Sequence, residues 1–149
     1  MATLLLPPAY GTEMIVYARE SLPEEACGFL IGTQDPNMQD FRISALRKAR
    51  NLNSRRNDRF TIAPEDYAKA ERYCARHPGK RILGFWHSHP LSPAQPSNVD
   101  LEAARGLYVS FPERYLYVLV SLALDDPELT CWRLDEQGRQ FEQVAVNRI

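Results

Sequence analysis

Residues 84–90 carry two histidines that share one face of a predicted strand. Alternate side chains of an extended strand point to one face, so His87 and His89 project together while Ser88 points away. Their Cα atoms would lie roughly 7 Å apart, a span over which two imidazole rings can close on one ion. Imidazole is the commonest metal-ligating side chain, so the pair predicts a metal site.

Asp100 is the candidate for a third ligand. Three prolines within residues 90–96 predict a loop that turns back before a helix begins at Ser97. An aspartate in the first turn of that helix can face the histidine strand. Catalytic zinc commonly has three protein ligands and keeps a fourth position for water. We therefore predict one zinc ion per chain, held by His87, His89 and Asp100.

The pair Ser97 and Asp100 has a second interpretation. Residues 97–100 also form a capping box variant, with Ser97 at the N-cap and Asp100 three residues further on. Such pairs begin many ordinary helices, and by itself this pair would indicate only a cap. Beside two histidines on one strand, the metal-ligand interpretation of Asp100 is favoured.

Around these residues the chain resembles the JAMM (MPN+) metalloprotease family. The family motif is a distant upstream Glu, then His-x-His-Pro, six residues, Ser, two residues and Asp. This sequence matches the later part of the motif, with its spacing intact, at His87, His89, Pro90, Ser97 and Asp100. Residues 25–32 look like the family's glutamate-bearing strand, so the implied catalytic partner is Glu25 rather than Glu24. The resemblance covers nearly the whole chain.

The resemblance implies a zinc-dependent metallopeptidase or isopeptidase that hydrolyses an amide bond after the Gly-Gly terminus of a ubiquitin-like protein. A zinc-bound water would attack, with Glu25 as the general base that later protonates the leaving amine. Ser97 would donate a hydrogen bond to the developing oxyanion. Compact bacterial members are similar to enzymes that process ubiquitin-like sulfur carriers, so the implied partner is such a carrier or its C-terminal adduct.

Other functions compete with this interpretation. Two histidines and one carboxylate also form the iron site of oxygenases, which the resemblance counts against. The main rival is a non-catalytic MPN-type scaffold that only binds partners, and the intact motif argues against it. Nucleic-acid processing is supported by little beyond one basic stretch, and no nucleic-acid partner is expected.

That basic stretch, residues 47–59, contains six cationic side chains: Arg47, Lys48, Arg50, Arg55, Arg56 and Arg59. Most such runs are simply solvated. The alternative is a surface that binds an acidic protein substrate, where the positive charge would mainly raise the association rate. The sequence leaves this choice open.

Two residues close to these motifs are predicted to be structural. His77 lies in the last turn of a predicted helix before Pro78-Gly79, where a partly cationic ring favours the negative helix end. Cys27 follows Glu25 by two residues and is predicted to pack in the core rather than to act in the site.

Size and composition fit one domain over residues 1–149. A formal net charge of −1 gives no general attraction to nucleic acid or to an anionic membrane. Three widely separated cysteines predict no disulfide framework and favour a reducing compartment. The leucines at 4–6 end at Pro7-Pro8 with no preceding Lys or Arg, so neither a signal peptide nor a membrane helix is expected. We therefore expect a cytoplasmic protein.

The element pattern predicts an α/β fold with a curved, mainly antiparallel sheet flanked by helices. The resemblance adds an MPN/JAMM-like arrangement, similar to a cytidine-deaminase-like sandwich. Helices are expected after Pro7-Pro8 to about residue 22, over 64–77 and over 97–106. Strands are expected over 27–31, 41–46, 60–62, 80–89, 115–124, 129–134 and 140–146.

Overall fold

Seven strands and three helices make up the part of the chain that the computed structural model describes, residues 2–37 and 39–149. In chain order they are β1 (Thr3–Leu6), α1 (Pro8–Ser21), β2 (Cys27–Gln34), β3 (Asp40–Ala49), α2 (Pro64–Arg76), β4 (Arg81–His89), α3 (Asn98–Ser110), β5 (Leu116–Ser121), β6 (Glu128–Leu134) and β7 (Phe141–Arg148). The strands form one closed sheet in the order β1-β3-β2-β4-β5-β6-β7.

The strand that closes the sheet, β1, was not expected from the sequence. It pairs in parallel with β3 on one side and with β7 on the other. Leu4 and Leu6 are fully buried, while Leu5 between them is partly exposed. The structure therefore has a closed barrel where a curved sheet was expected, and the MPN/JAMM-like, sandwich arrangement is confirmed only in part. The closure was missed because a strand of four residues has too short a pattern to be recognised. The antiparallel majority is confirmed, since four of the seven described pairings are antiparallel.

Helices cover both faces of the sheet, as predicted. On one face, α1 buries Met14 and Ala18 in a core that also contains Trp86. On the other face, α2 and α3 contribute Ala70 and Ala104 to a second core. Successive side chains of β4 therefore alternate between the α1 core and the α2/α3 core.

The helix bounds agree with the predicted ranges with one exception. Pro64 opens α2, and Glu65 and Asp66 complement the positive end of its dipole. α3 continues to Ser110, past Gly106 where it was expected to fade, because one glycine costs a helix only about 1 kcal/mol. Among residues 2–37 and 39–149, no helix is long and apolar enough to cross a membrane.

The predicted strand over residues 60–62 is reduced to one isolated bridge between Ile62 and Asn51. A backbone hydrogen bond from the Leu52 amide to the Thr61 carbonyl lies beside this bridge. The two contacts form the neck of a loop, residues 52–61, which follows β3 and leads to α2. Within the described residues the pairing here does not extend beyond this bridge, so the segment is a loop whose two ends are hydrogen-bonded to each other rather than a strand.

Two antiparallel pairs are formed by strands that follow one another in the chain. β2 and β3 form an antiparallel pair, and so do β6 and β7, whose turn has Gly138 at a φ of +69°. β5 is buried along its whole length between β4 and β6. β4 is thus held by β2 on one side and by β5 on the other, which gives its last residues a rigid setting.

Candidate metal centre

The two predicted strand histidines lie together at the end of β4 and are both buried. His87 is opposite Cys27 of β2, and His89 is paired with Ser121 of β5. Their ring centroids are 5.1 Å apart, on the face of the sheet that α2 and α3 cover. The expected alternation along the strand is therefore present, with Ser88 on the α1 side.

A backbone carbonyl fixes the orientation of the His89 ring. Its Nδ1 lies 2.8 Å from the carbonyl oxygen of Pro93, which can only accept a hydrogen bond, so Nδ1 carries the proton. Nε2 then points to Asp100 Oδ2 at 3.2 Å. In the neutral ring this tautomer leaves the Nε2 lone pair available to a metal ion.

Asp100 has two structural roles at the start of α3. It completes a capping box with Ser97: its amide donates to Ser97 Oγ (3.1 Å), and the Ser97 amide donates to Asp100 Oδ2 (2.9 Å). Its other carboxylate oxygen, Oδ1, lies 3.2 Å from His87 Nε2. The two interpretations of this pair are therefore compatible, because the helix cap itself turns the carboxylate toward the histidines.

The three side chains fit a divalent cation. Their potential ligand atoms all lie within 4.8 Å of one another. Both ring nitrogens of His87 are buried without a hydrogen-bond partner among the described residues, since the contact with Asp100 lacks the alignment of a hydrogen bond. An unsatisfied buried polar group costs about 1–3 kcal/mol, which a bound cation would remove. Two imidazole nitrogens and one carboxylate oxygen are donors that zinc accepts.

Electrostatics keep a negative charge at this cluster. Burial opposes ionisation of Asp100, but His87, His89 and the Ser97 amide together hold the pKa of this carboxyl well below its usual range. Burial lowers the pKa of His87. Burial also opposes protonation of His89, but the hydrogen bonds with Asp100 and Pro93 outweigh it and raise the pKa. An ionised carboxylate between two imidazole rings is an environment that attracts a cation.

Glu25 lies immediately before β2 and is buried. Burial raises the pKa of its carboxyl to about 8; the His89 charge opposes this effect, and the Asp100 and Asp58 charges add to it. Its Oε1 has no hydrogen-bond partner among residues 2–37 and 39–149. Glu24, by contrast, is half-exposed and pairs with Arg56. Glu25, unlike Glu24, lines the same cleft as His89.

Two clefts border the cluster. One, of about 750 Å³, is lined by residues of the 52–61 loop and of the turn after β4, and Glu25, His89 and Ser97 reach it. The other, of about 390 Å³, is mainly apolar, and His87 and Asp100 reach it. Its remaining walls are Phe60, Thr61, Ile62, Tyr67, Phe85, Ala103, Ala104, Leu107 and Tyr117. The metal-ligand cluster therefore has one cleft on each side.

Five of the six cationic side chains of residues 47–59 have partners within the chain, whereas Nε of Arg59 is buried without a hydrogen-bond partner among the described residues. Ion pairs join Arg50 to Glu65 and Asp66, Arg55 to Asp58, and Arg56 to Glu24. Arg47 and Lys48 lie over aromatic rings of Tyr73 and Tyr17. Arg55 and Arg56 also line the larger cleft. Whether the stretch attracts an acidic substrate stays a prediction.

Two polar residues that the sequence did not single out hold the backbone around Glu25. The Asn51 side chain donates to the Glu25 carbonyl, and the Ser88 hydroxyl accepts from the Ala26 amide. A single asparagine after a strand carries no periodic signal. Alternation placed Ser88 on the face opposite the histidines but could not identify its partner, 62 residues away.

Cys27 and His77, which were predicted to be structural, contact core and helix-end residues rather than the candidate metal ligands. Cys27 is fully buried in the α2/α3 core, where burial raises the pKa of its thiol to about 12. His77 is the C-cap of α2, its ring stacks on Tyr73, and its Nδ1 lies 2.7 Å from the Tyr73 carbonyl. Neither belongs to the described metal-ligand group.

Comparison with known proteins relates most of the chain to one family. The model of prokaryotic homologs of the JAB domain matches residues 7–135. The desampylase of Pyrococcus furiosus is 33% identical over 146 residues, which cover 97% of this chain and 91% of that protein. The desampylase of Haloferax volcanii is 27% identical over 137 residues, covering 89% and 87%.

Other similarities are to a phage protein and to solved structures. Tail tip assembly protein K of Escherichia phage N15 is 30% identical over 87 residues, or 58% of this chain, and the match spans only 30% of that protein's length. A solution structure from Desulfitobacterium hafniense superposes with a TM-score of 0.76 at 29% identity, covering 100% of this chain and 94% of the other. One from Salinibacter ruber has a TM-score of 0.69 at 35% identity, covering 100% and 92%.

Proposed function

This chain belongs to the family of prokaryotic homologs of the JAB domain, and we propose that it is a zinc-dependent isopeptidase acting on a ubiquitin-like protein. The bond cleaved would be the amide bond after the Gly-Gly terminus of that protein. Two relatives that align with most of the chain are named desampylase, which supports the removal of a ubiquitin-like modifier. The observation that carries the proposal is the convergence of His87, His89 and Asp100 beside the buried carboxyl of Glu25.

The proposed zinc site consists of His87, His89 and Asp100, with one ion per chain. The Pro93 carbonyl holds the His89 ring, and the capping box holds the Asp100 carboxylate, so two of the three ligands are oriented by the backbone. When bound, a zinc ion supplies Lewis-acid chemistry, because it polarises a carbonyl group and acidifies water.

Glu25 is proposed as the general base and, later, the general acid. Its carboxylate would take a proton from the attacking water and deliver it to the leaving amine. The pKa of about 8 applies to the cluster without a cation. That pKa would fall when a cation occupies the cluster, because a nearby opposite charge favours the ionised carboxylate. A value near neutrality suits a group that must both accept and return a proton.

Ser97 is proposed to stabilise the oxyanion of the tetrahedral intermediate. Its Oγ accepts a hydrogen bond from the Asp100 amide, and its hydroxyl proton is available to a group in the larger cleft. The same interaction that caps α3 therefore fixes the position of the donor. Removal of one such donor costs about 3–4 kcal/mol of transition-state stabilisation in well-built sites.

A finer proposal concerns the partner, which would be a ubiquitin-like sulfur carrier or its C-terminal adduct. The scissile bond would lie at the cluster between the two clefts, with the carrier's tail on one side and the released group on the other. Two glycines suit such a position because they let the backbone approach a narrow site closely.

The test is cleavage of a defined substrate by the zinc-loaded protein. The probes are a ubiquitin-like sulfur carrier that ends in Gly-Gly, joined either to a lysine side chain of a peptide or to a C-terminal extension, with products identified by mass spectrometry. We expect cleavage after Gly-Gly by the wild type and by Glu24→Gln, but not by Glu25→Gln with its zinc retained. Binding of both probes without cleavage by the wild type would favour the scaffold function and overturn the proposal.

A further inference from the structure

The backbone amide and carbonyl of Glu25 are hydrogen-bonded to the 52–61 loop and to Asn51, the residue that precedes the loop. Glu25 precedes β2, so the sheet ladder does not include it. Its amide donates to the Arg56 carbonyl at 2.6 Å, and its carbonyl accepts from Asn51 Nδ2 at 3.0 Å. The amide and carbonyl of the proposed base are therefore bonded to the loop and to the residue at its base, whereas the next residue, Ala26, is bonded to Ser88 of β4.

Asn51 uses the whole hydrogen-bonding capacity of its side-chain amide. Nδ2 donates to the carbonyls of Glu25 (3.0 Å) and Arg59 (2.9 Å). Oδ1 accepts from the amides of Asn53 and Thr61, both at 3.1 Å. An asparagine side chain has two donors and one doubly accepting oxygen, so every site is used.

This pattern also determines which way the Asn51 amide faces. Rotation of the amide by 180° would set its NH₂ against two backbone N–H groups and its oxygen against two carbonyls. This rotation would replace four hydrogen bonds by four contacts between like groups, so the orientation described is the one that the surroundings favour. Asn51 stands at the neck of the loop, where it also forms the backbone bridge with Ile62.

We propose that Asn51 is a positioning residue for the general base, joining the closed 52–61 loop to the backbone of Glu25. The inference rests on the proposed function of Glu25 and extends it to a residue that touches neither the metal ligands nor the clefts. The Asn51 side chain forms hydrogen bonds with backbone groups near both ends of the loop and with the Glu25 carbonyl. The loop in turn supplies the Arg56 carbonyl to the Glu25 amide.

Residue-resolved amide hydrogen exchange of the metal-free full chain tests the link without reference to activity. In Asn51→Ala, exchange of the Glu25 amide should accelerate by about tenfold or more, because the loop that carries its acceptor is released. The Ser88 amide, which donates to the Ala26 carbonyl and not to the loop, should keep its wild-type rate. An unchanged Glu25 amide in this variant would overturn the proposal.

Asn53→Ala is the matched control. Asn53 lies in the same loop, and its side chain bonds to the Arg55 amide and to Thr61 Oγ1 rather than to Glu25. This variant should accelerate exchange of the Arg55 amide and leave the Glu25 amide as in the wild type. An equal acceleration at Glu25 in both variants would show a general effect of loosening the loop and would also overturn the proposal.

A second variant remains informative if Asn51→Ala does not fold. Asn51→Asp keeps an acceptor for the amides of Asn53 and Thr61 but cannot donate to the Glu25 carbonyl. We expect the Asn53 and Thr61 amides to stay protected while the Glu25 amide exchanges faster. Protection of all three amides would count against Asn51 as the positioning group.

Steady-state kinetics on the same isopeptide substrate separate this inference from the proposed function. Asn51→Ala should lower kcat on the order of 10²-fold, with KM and zinc stoichiometry unchanged, because a small displacement of a catalytic group is costly. Asn53→Ala should keep the wild-type kcat. Full kcat in Asn51→Ala would overturn the inference and leave the function standing. No cleavage by the wild type would remove the function, and hydrogen exchange would still decide the role of Asn51.

Discussion

The amide of Ala26 donates a hydrogen bond to the hydroxyl oxygen of Ser88 at 2.8 Å, and the amide of Ser88 donates to the carbonyl of Ala26 at 3.0 Å. The regular register between β2 and β4 ends with Cys27 opposite His87. The Ser88 hydroxyl and amide therefore continue the contact between the two strands by one residue beyond the Cys27–His87 pair. This contact ties the residue after Glu25 to the residue between the two histidines, from the side of the sheet opposite the cluster.

The first prediction concerns this contact. Ser88→Ala leaves the buried Ala26 amide without an acceptor, so the free energy of unfolding of the metal-free protein should fall by about 1–3 kcal/mol. Denaturant unfolding measures the change. Ser21→Ala is the matched control, since that hydroxyl bonds to the Tyr17 carbonyl within α1 and its removal should change stability by no more than about 0.5 kcal/mol. Equal losses in the two variants would contradict the assigned role of Ser88.

The second prediction concerns the metal. His87→Ala and Asp100→Ala should each purify without stoichiometric zinc, because two remaining ligands hold the ion far more weakly than three. His77→Ala removes the third histidine of the chain, which stacks on Tyr73 away from the cluster, and should keep one zinc per chain. Elemental analysis after dialysis decides. Full zinc content in both site variants would show that the ligands are assigned wrongly.

The placement of the candidate site could be predicted because it follows from local rules. Alternation along a strand sets His87 and His89 on one face, and a capping box turns Asp100 inward at a helix start. Both rules operate within a few residues of sequence. The structure shows that the cap and the inward carboxylate are one arrangement rather than alternatives.

The closure of the sheet and the support around Glu25 could not be predicted because they depend on distant partners. β1 is stabilised by strands that begin at Asp40 and Phe141, and four residues carry no distinctive period. The contacts of Asn51 with Glu25 and of Ser88 with Ala26 each use one side chain across a long separation. Periodicity reports which face is buried, but it does not report which polar atoms meet.

The third prediction separates the two roles of Ser97. Ser97→Ala removes both the cap and the proposed oxyanion donor, so it should lower stability by about 1 kcal/mol and also lower kcat on the isopeptide substrate. Ser97→Gly removes the same hydroxyl but costs only a few tenths of a kcal/mol at an N-cap. Both variants should lose about 10²- to 10³-fold in kcat, and only the alanine variant should show a clear loss in thermal unfolding. Wild-type kcat in the glycine variant would rule out the donor role.

The fourth prediction concerns pH and the buried carboxyl of Glu25. Its pKa in the folded protein is raised from 4.5 to about 8, so between these values the folded state binds the proton more tightly than the unfolded state. The free energy of unfolding of the metal-free protein should therefore fall as pH rises through this window. The contribution is fully present below about pH 4.5 and lost above about pH 8. Its full size is on the order of 5 kcal/mol.

Glu25→Gln removes this titration and keeps the shape of the side chain. The stability of the variant relative to the wild type should therefore grow as pH rises from about 4.5 to about 8 and then level off. Glu24→Gln, in which the altered side chain is half-exposed and pairs with Arg56, should show no comparable growth. Urea unfolding with excess chelator across this range measures both differences. If the gap between Glu25→Gln and the wild type stays constant with pH, the Glu25 carboxyl has the same pKa in the folded and unfolded metal-free protein, and the raised pKa is wrong.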